Sequence, residues 1–360
     1  MKVIKKKRGT IYFGDGCWDA LNNSISILKP SRIFILADTN TTLHCVPALL
    51  KLVSTSISIQ HINLPAGEQF KTIDTCQKVW KQLSEQGADR NSLLINIGGG
   101  VVTDLGGFVA CTFKRGIEFI NIPTSLLAMV DAAVGGKNGV DLGHLKNQIG
   151  IIKDPLAVFV DSSFLETLPT NQMTSGYAEM LKHGLIASEV YWETLKPFKP
   201  DRPELIEDAI WESIEIKNDV VVADPTEKGL RKTLNYGHTL GHAIESYCLE
   251  SNDIKTLLHG EAIAIGLILA NYISSELTGF PKTKLSETTA HILRHFPKEK
   301  FSKADIEQII ELLKFDKKNV DGVVNFVLLK NFGSHEIDKQ VPNSLIYKAF
   351  EYYKNFKKII

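Results

Sequence analysis

The sequence has little of what marks secreted, membrane-spanning or fibrous proteins. Its five cysteines are odd in number and widely spaced, with no Cys-x-x-Cys pair, as is typical of a reducing compartment. The longest apolar run, residues 262–270, is too short to span a bilayer. Polar, Gly-rich sequence follows the basic N-terminus, where a signal peptide would need an apolar core. These absences predict a soluble cytoplasmic protein without a membrane partner.

A net charge is also absent. The 41 basic and 41 acidic residues cancel, so no overall field favours nucleic acid, and an anionic ligand must be held by a local cluster of Lys and Arg. With 44% hydrophobic and 23% charged residues, the composition is globular and excludes a disordered chain, a collagen-like fibre or a coiled coil. A length of 360 residues predicts two domains.

The sequence changes character near its middle. Its first part alternates short β-branched runs with segments of helical spacing, which predicts a Rossmann-like parallel α/β sheet. The predicted strands are residues 32–36, 57–64, 93–97, 117–122 and 156–160. Helices are predicted near residues 173–187, 204–222, 233–250, 256–277, 303–314 and 343–356. We expect an α/β domain over residues 1–168, an all-α domain over residues 169–360, and a ligand cleft between them.

A glycine-rich turn follows the third predicted strand. Residues 98–100 are all glycine, and residues 101–104 lead into a helix. Glycines let backbone N–H groups approach a pyrophosphate at a helix start. The spacing is not Gly-x-Gly-x-x-Gly, so the turn is either a nucleotide site or a turn that only packing requires. Thr124 and Ser125 offer hydroxyl groups at the next strand-to-helix junction.

Histidines cluster in the second part of the chain. His238 and His242 are four residues apart and project from one helical face, and His259 follows on another predicted helix. Such a set suits a divalent metal such as zinc, or a metal ligand beside an acid–base group. Each histidine alone is typical of a surface or hydrogen-bonded core residue. Glu179 lies in a predicted buried helix and needs a partner, which a metal or a counter-charge would provide.

Six cations interrupt apolar or Gly-rich stretches: Arg115, Lys137, Lys146, Lys182, Lys217 and Arg231. Each alone is typical of a solvated surface. Lys137 differs, because an apolar helix presents Asp131 and a glycine pair then frees the backbone just before this lysine. Glu68 and Lys71, three residues apart near a helix start, are typical of a solvated cap.

Together, and in this order, these segments resemble the 3-dehydroquinate synthase family of sugar phosphate cyclases. The resemblance spans the chain from Asp38 to residues 316–318. Its most specific matches are residues 98–104, 123–137, 145–147, 176–182, 229–242 and 259–261. Six matches in register make a chance resemblance very improbable.

The resemblance implies NAD in the α/β domain, zinc or cobalt in the helical domain, and a homodimer. The implied metal ligands are Glu179, His238 and His259. The implied NAD contacts are Asp38, Glu68, Lys71, Gly99, Gly100, Val101, Asp104, Thr124, Ser125, Lys137, Lys146, Phe164 and Thr167. The implied substrate and catalytic residues are Asp131, Lys137, Lys146, Asn147, Lys182, Lys217, Arg231, Asn235, His242 and Lys318 or Lys317, with Arg115 lent by the neighbouring subunit.

The implied reaction converts 3-deoxy-D-arabino-heptulosonate 7-phosphate to 3-dehydroquinate and phosphate, a step of the shikimate pathway toward chorismate and the aromatic amino acids. Bound NAD would oxidise a ring hydroxyl, phosphate would leave, and the same cofactor would reduce the ketone before ring opening and aldol closure. The carboxylate and phosphate of this substrate would account for the many local cations, and Arg231 suits bidentate carboxylate recognition.

Three alternatives stay open from the sequence. A related cyclase would act on another sugar phosphate, and a metal- and NAD-dependent dehydrogenase of the glycerol dehydrogenase type would release NADH stoichiometrically. A non-catalytic subunit would keep only the scaffold. The joint presence of Lys217, Arg231, Asn235 and His242 favours the dehydroquinate reaction.

Overall fold

The computed structural model describes residues 1–143, 145–251, 254–315 and 324–357. The chain divides into two compact units. We call Met1–Met173 with Asp201–Glu215 the α/β unit, and Thr174–Pro200 with Ile216–Ile360 the helical unit. The boundary expected at residues 168 and 169 stays a prediction.

The α/β unit is built on a mainly parallel sheet. Its strands are β1 (Lys2–Ile4), β2 (Thr10–Phe13), β3 (Ile33–Asp38), β4 (Ile59–Leu64), β5 (Leu93–Gly98), β6 (Glu118–Pro123), β7 (Lys137–Leu142), β8 (Leu145–Ile152) and β9 (Ala157–Val160). Seven of them form one sheet in the order β1-β2-β9-β6-β5-β3-β4, parallel except where β1 pairs with β2. The five predicted strands correspond to β3, β4, β5, β6 and β9.

The hydrophobic pattern of β5 explains its central place. All six of its residues are buried, as expected of a parallel strand that is covered on both faces. The helices of this unit are α1 (Cys17–Leu28), α2 (Thr39–His44), α3 (Val46–Leu52), α4 (Ile73–Glu85) and α5 (Gly100–Thr112).

Strand register brings the two predicted nucleotide turns together. Gly98 of β5 pairs with Pro123 of β6, and the Thr124 N–H donates to the Gly98 carbonyl at 3.0 Å. The strand order reverses at β3: β4 is added on one side of this strand and β5 on the other. Ligands of doubly wound sheets bind beyond the carboxyl ends of strands at such a point, where Asp38 ends β3 and the glycine turn ends β5.

A separate antiparallel hairpin, β7–β8, was not predicted. It joins the loop before α4, because the Asp141 N–H donates to the Lys71 carbonyl at 2.9 Å. Just before the hairpin, the predicted apolar helix is a short π-helical turn over Ala128–Ala132.

The second part of the chain is helical, as predicted. Its helices are α6 (Thr170–Ala187), α7 (Glu189–Leu195), α8 (Glu207–Ala223), α9 (His238–Glu250), α10 (His259–Leu277), α11 (Lys282–His295), α12 (Lys303–Leu312) and α13 (Asn343–Asn355). α10 is buried along most of its length, which makes it the central helix of its unit. Three elements were not predicted: α7, α11 and a hairpin formed by β10 (Phe326–Asn331) and β11 (Ser334–Lys339).

The fold class is therefore confirmed: an α/β sheet domain followed by a predominantly helical domain. Among the residues that the structure describes, no helix has both the length and the apolar character that crossing a membrane requires.

Candidate functional site

Three side chains that could bind a metal converge in the helical unit. Glu179 lies in the middle of α6, whereas His238 and His259 are the first residues of α9 and α10. The Oε1 atom of Glu179 lies 3.4 Å from Nε2 of His238 and 3.4 Å from Nε2 of His259. The cluster joins residues that are far apart in sequence.

Two glycines allow these helices to meet. Gly260 packs so closely on α6 that a Cβ atom there would lie 1.9 Å from the Ser175 carbonyl oxygen. The Gly260 N–H also donates to Ser175 Oγ at 3.0 Å. Gly237, just before α9, has φ of 75°, a left-handed conformation that favours glycine. The positions of His238 and His259 therefore depend on the adjacent glycines, Gly237 and Gly260.

Hydrogen bonds orient both imidazole rings. His238 Nδ1 donates to the Tyr236 carbonyl oxygen at 3.1 Å. His259 Nδ1 donates to Glu245 Oε2 at 2.9 Å. Because a proton on each Nδ1 is held by these bonds, the Nε2 atoms, which face Glu179 Oε1, are the ones available to a metal.

The charges at this cluster are strongly coupled. Glu179 is fully buried, and burial would raise its pKa, but the Lys182 ammonium and His238 hold the pKa of this carboxyl well below its usual range. Burial lowers the pKa of His238. For His259, the carboxylates of Glu245 and Glu179 outweigh burial and raise the pKa to about 10. Glu179 is therefore ionised and His238 neutral, as metal ligands must be, whereas His259 is protonated and would release its Nε2 proton on binding a metal.

The donor set fits a divalent metal such as zinc or cobalt. A tetrahedral zinc site has metal–ligand distances of about 2.1 Å, which places neighbouring ligand atoms about 3.4 Å apart. That is the separation of Glu179 Oε1 from both Nε2 atoms. Glu179 Oε1 is buried and accepts no hydrogen bond of good geometry from the described residues. A cation would satisfy this oxygen.

His242 belongs to the same cluster. Its ring centroid lies 5.0 Å from that of His238 and 5.7 Å from that of His259. Ligand atoms of these three histidines lie within 4.8 Å of one another. His242 is therefore close enough to act as an acid–base group or as a further ligand beside the metal.

The default interpretation of the lone cations as solvated surface residues is wrong for three of them. Lys182, Lys217 and Arg231 are only 1%, 7% and 2% exposed, respectively. Lys182 forms an ion pair with Glu179. Buried cations are rare because desolvation is costly, and Lys217 and Arg231 are therefore candidates for binding an anionic ligand.

A loop before α9 holds Arg231 and Asn235. Asp224 accepts hydrogen bonds from the N–H of Gly229 at 2.6 Å and of Arg231 at 3.1 Å. Asn235 donates to Glu227 Oε1 at 2.8 Å. Asp224 and Glu227 were not predicted, because they lie among charged residues that are typical of a solvated loop.

A second polar cluster lies in the α/β unit. Lys71 Nζ donates to Asp104 Oδ2 at 2.6 Å and to Asn147 Oδ1 at 2.7 Å. Lys146 forms ion pairs with Glu68 and Asp141. The interpretation of Lys71 as part of a solvated cap is wrong, because this side chain is buried. The structure thus brings together five of the predicted cofactor and substrate residues.

Asp141 connects this cluster and was missed from the sequence. Its carboxylate lies 3.1 Å from Lys146 Nζ and accepts the Asn147 N–H at 2.6 Å. Asn147 has φ of 52°, so this bond supports a left-handed backbone. An aspartate in the apolar context of Val140 was the available signal, because a buried carboxylate requires partners.

The remaining predicted NAD residues lie at the carboxyl edge of the sheet. Gly99 precedes α5, Gly100 and Val101 begin it, and a Cβ atom on Gly99 would lie 3.3 Å from Ser125 Oγ. Asp38 caps α2 by accepting from the N–H of Asn40 and Thr41. Phe164 and Thr167 lie in the short helix that follows β9.

The other predicted residues have the following positions in the chain. Arg115 is exposed just before β6, at the amino edge of the sheet, opposite the glycine turn. Asp131 lies in the π-helical turn, and Lys137 begins β7. Lys317 and Lys318 lie outside the described residues.

Comparisons with known proteins identify the family. A family model described as 3-dehydroquinate synthase N-terminal matches residues 61–175, and one described as 3-dehydroquinate synthase C-terminal matches residues 176–319. The chain belongs to the 3-dehydroquinate synthase family. The resemblance stated from the sequence is confirmed.

Relatives and solved structures agree with this family. A curated 3-dehydroquinate synthase from Parabacteroides distasonis is 42% identical over 336 residues, covering 93% of this chain and 94% of the relative. A crystal structure of 2-deoxy-scyllo-inosose synthase complexed with carbaglucose-6-phosphate, NAD+ and Co2+ is 25% identical, with a TM-score of 0.82 over 97% of this chain and 98% of that chain. The fold is also that of 2-epi-5-epi-valiolone synthase from Streptomyces hygroscopicus, solved with NAD+ and Zn2+, at 21% identity, a TM-score of 0.85 and 99% coverage of both chains.

Proposed function

We propose that this chain is a lyase that converts 3-deoxy-D-arabino-heptulosonate 7-phosphate to 3-dehydroquinate and phosphate. It uses NAD that is regenerated in each cycle and a divalent metal, zinc or cobalt, and it acts as a cytoplasmic homodimer. Family membership supports the reaction, and the NAD+ and Co2+ bound to 2-deoxy-scyllo-inosose synthase support the cofactors.

One observation of the structure carries the proposal. Glu179 Oε1 lies 3.4 Å from both His238 Nε2 and His259 Nε2, which is the separation of two neighbouring ligand atoms on a tetrahedral metal. A metal held by these residues supplies a Lewis acid that polarises a substrate hydroxyl. Lys182 pairs with Glu179 and keeps that carboxylate ionised. The three protein ligands leave a coordination position for substrate.

The buried cations select the substrate. Arg231 presents a planar guanidinium suited to bidentate binding of a carboxylate, and Lys217 adds positive charge in the same unit. His242 adjoins the metal ligands and is placed to exchange a proton at an imidazole nitrogen. A dianionic sugar phosphate acid accounts for this local excess of positive charge in a neutral protein.

The α/β unit supplies the cofactor-binding residues. Bound NAD supplies a hydride acceptor that later returns the hydride. Lys71, fixed by Asp104 and Asn147, and Lys146, fixed by Glu68 and Asp141, form a rigid polar surface in this unit. We assign Gly99, Gly100, Thr124 and Ser125 to pyrophosphate contacts, because their backbone and hydroxyl groups cluster where β5 and β6 end.

A single incubation tests the function. The protein receives the heptulosonate phosphate, a catalytic amount of NAD and zinc, and we expect one phosphate and one dehydroquinate per substrate without net NADH. A chelator-treated sample should be inactive and should recover with zinc or cobalt. Stoichiometric NADH would instead identify a dehydrogenase, and phosphate release with another carbocycle would identify a different cyclase.

A further inference from the structure

Glu245 stands behind one of the metal-binding histidines. It lies on α9 and is 7% exposed, and its Oε2 atom accepts a hydrogen bond from His259 Nδ1 at 2.9 Å. A buried carboxylate needs a compensating partner, and Glu245 faces the imidazole on the side away from Glu179.

This contact fixes the state of the His259 ring. An ionised carboxylate only accepts hydrogen bonds, so the proton of a neutral His259 stays on Nδ1. The lone pair of Nε2 then faces Glu179 Oε1, 3.4 Å away. Carboxylates placed in this way raise the basicity of a ligating imidazole and hold its plane.

The two histidine ligands differ in how much support they need. The His238 side chain is 9% exposed and is held by the carbonyl of Tyr236, whereas the His259 side chain is 28% exposed. His259 is thus the less enclosed ligand, and its partner is a full negative charge rather than a neutral carbonyl. The His259 ring, which is less enclosed than the His238 ring, therefore has the stronger hydrogen-bond partner.

The local charge balance also favours a supporting role for Glu245 at the metal site. Lys182 already pairs with Glu179, so these two charges cancel before a metal is counted. Glu245 then provides a further negative charge next to a ligand of the dication. In a buried site, such compensation lowers the free energy of the bound metal.

We propose that Glu245 is a positioning residue of the metal site, which sets the tautomer and ring orientation of His259 and thereby raises metal affinity. The inference rests on the proposed metal dependence. It assigns a role to a residue that holds neither metal nor substrate.

Metal affinity, measured apart from catalysis, tests this role. Zinc affinity of the full chain is determined by competition with a chromogenic chelator for the unsubstituted protein, Glu245→Gln and Glu245→Ala. Glu245→Gln keeps the shape of the side chain and removes its charge, so it remains informative if the alanine variant does not fold. Glu261→Gln is the matched control, because Glu261 caps the start of α10 by accepting the Leu258 N–H at 2.7 Å.

Loss of an outer partner of a metal ligand typically weakens metal binding about 10- to 100-fold. We expect a loss in this range for Glu245→Gln, an altered visible spectrum of its cobalt form, and unchanged affinity for Glu261→Gln. A loss below about fivefold for Glu245→Gln, set against that typical range, would overturn the inference alone. Absence of zinc binding by the unsubstituted chain would overturn the proposed function as well.

Discussion

The Lys71 ammonium lies 2.6 Å from Asp104 Oδ2, and the two side chains are only 5% and 17% exposed. Burial lowers the pKa of Lys71, but Asp104, Glu68 and Asp141 outweigh it and hold the pKa above its usual range. The lysine is therefore a permanent cation that fixes the carboxylate of α5 against the loop before α4.

Replacing Lys71 by methionine should destabilise the α/β unit. The change leaves the Asp104 carboxylate in a largely buried position without its cation, which costs about 3 kcal/mol in free energy of unfolding. Urea unfolding of Lys71→Met measures this cost. Lys81→Met is the control, since Lys81 and Glu85 form an exposed pair at 3.8 Å whose loss should change stability by less than about 1 kcal/mol. Equal stability of both variants would contradict the prediction.

Asp141→Ala should weaken NAD binding while the fold remains. The substitution removes the acceptor of the Asn147 N–H and an ion-pair partner of Lys146. These two residues are then held less firmly in the polar surface of the α/β unit. Loss of charged hydrogen bonds corresponds to about a tenfold or greater fall in affinity, which calorimetric titration with NAD measures. Asp74→Ala, at an exposed position in the first turn of α4, should bind NAD normally. Normal NAD binding by Asp141→Ala would refute this role.

His238→Ala should abolish zinc binding and activity while leaving the α/β unit folded. The substitution removes one of three converging ligand atoms. Zinc content after dialysis, measured by atomic emission, checks the result, and circular dichroism checks the fold. His44→Ala, at an exposed position of α2, should retain zinc and activity. Full activity of metal-free His238→Ala would show that the ligand assignment is wrong.

Acid should destabilise the helical unit through His291 on α11. Burial, together with the nearby His295, Arg294 and Lys196, lowers the pKa of His291 from 6.5 to about 4. The ring is neutral in the fold and contacts the hydroxyl of Tyr177 at 2.8 Å. Between pH 6.5 and 4 the unfolded chain therefore binds a proton that the folded chain does not.

The sign follows from this difference in proton uptake. The free energy of unfolding should fall as the pH decreases through the window, by up to about 1.4 kcal/mol per pH unit. His291→Gln keeps a hydrogen-bond donor but cannot titrate, so its stability should depend less on pH. Denaturant unfolding at several pH values compares it with His44→Gln, which should keep the full slope. An undiminished slope in His291→Gln would rule out His291 as the source.

Much of the fold was predictable because its elements carry strong local patterns. β5 and α10 are buried, and their burial appears in the sequence as an apolar run and as helical spacing of apolar residues, respectively. The hairpin β10–β11 was missed because its second strand is only partly buried and carries polar residues. Without a buried face, the alternation that identifies a strand is weak.

Residues of the candidate site were predictable where a charged residue lies in an apolar segment or where histidines share one helical face. Glu179 in an apolar helix and the His238–His242 pair fall in this class. Glu245 and Asp141 were missed because their role comes from contacts that only the tertiary structure creates, with His259 and Asn147. A carboxylate on a helix or strand looks ordinary until its neighbours are known.

The ligands Glu179, His238 and His259 belong to three different helices, and long segments of chain separate them. An unfolded chain would have to close both intervening segments before a metal could join the three donors, which costs conformational entropy. Because buried helices such as α10 supply a core without the metal, we expect the helical unit to fold before the ion binds, unlike small zinc domains whose folding the metal itself drives. We then expect that zinc can be removed and added back without unfolding the protein.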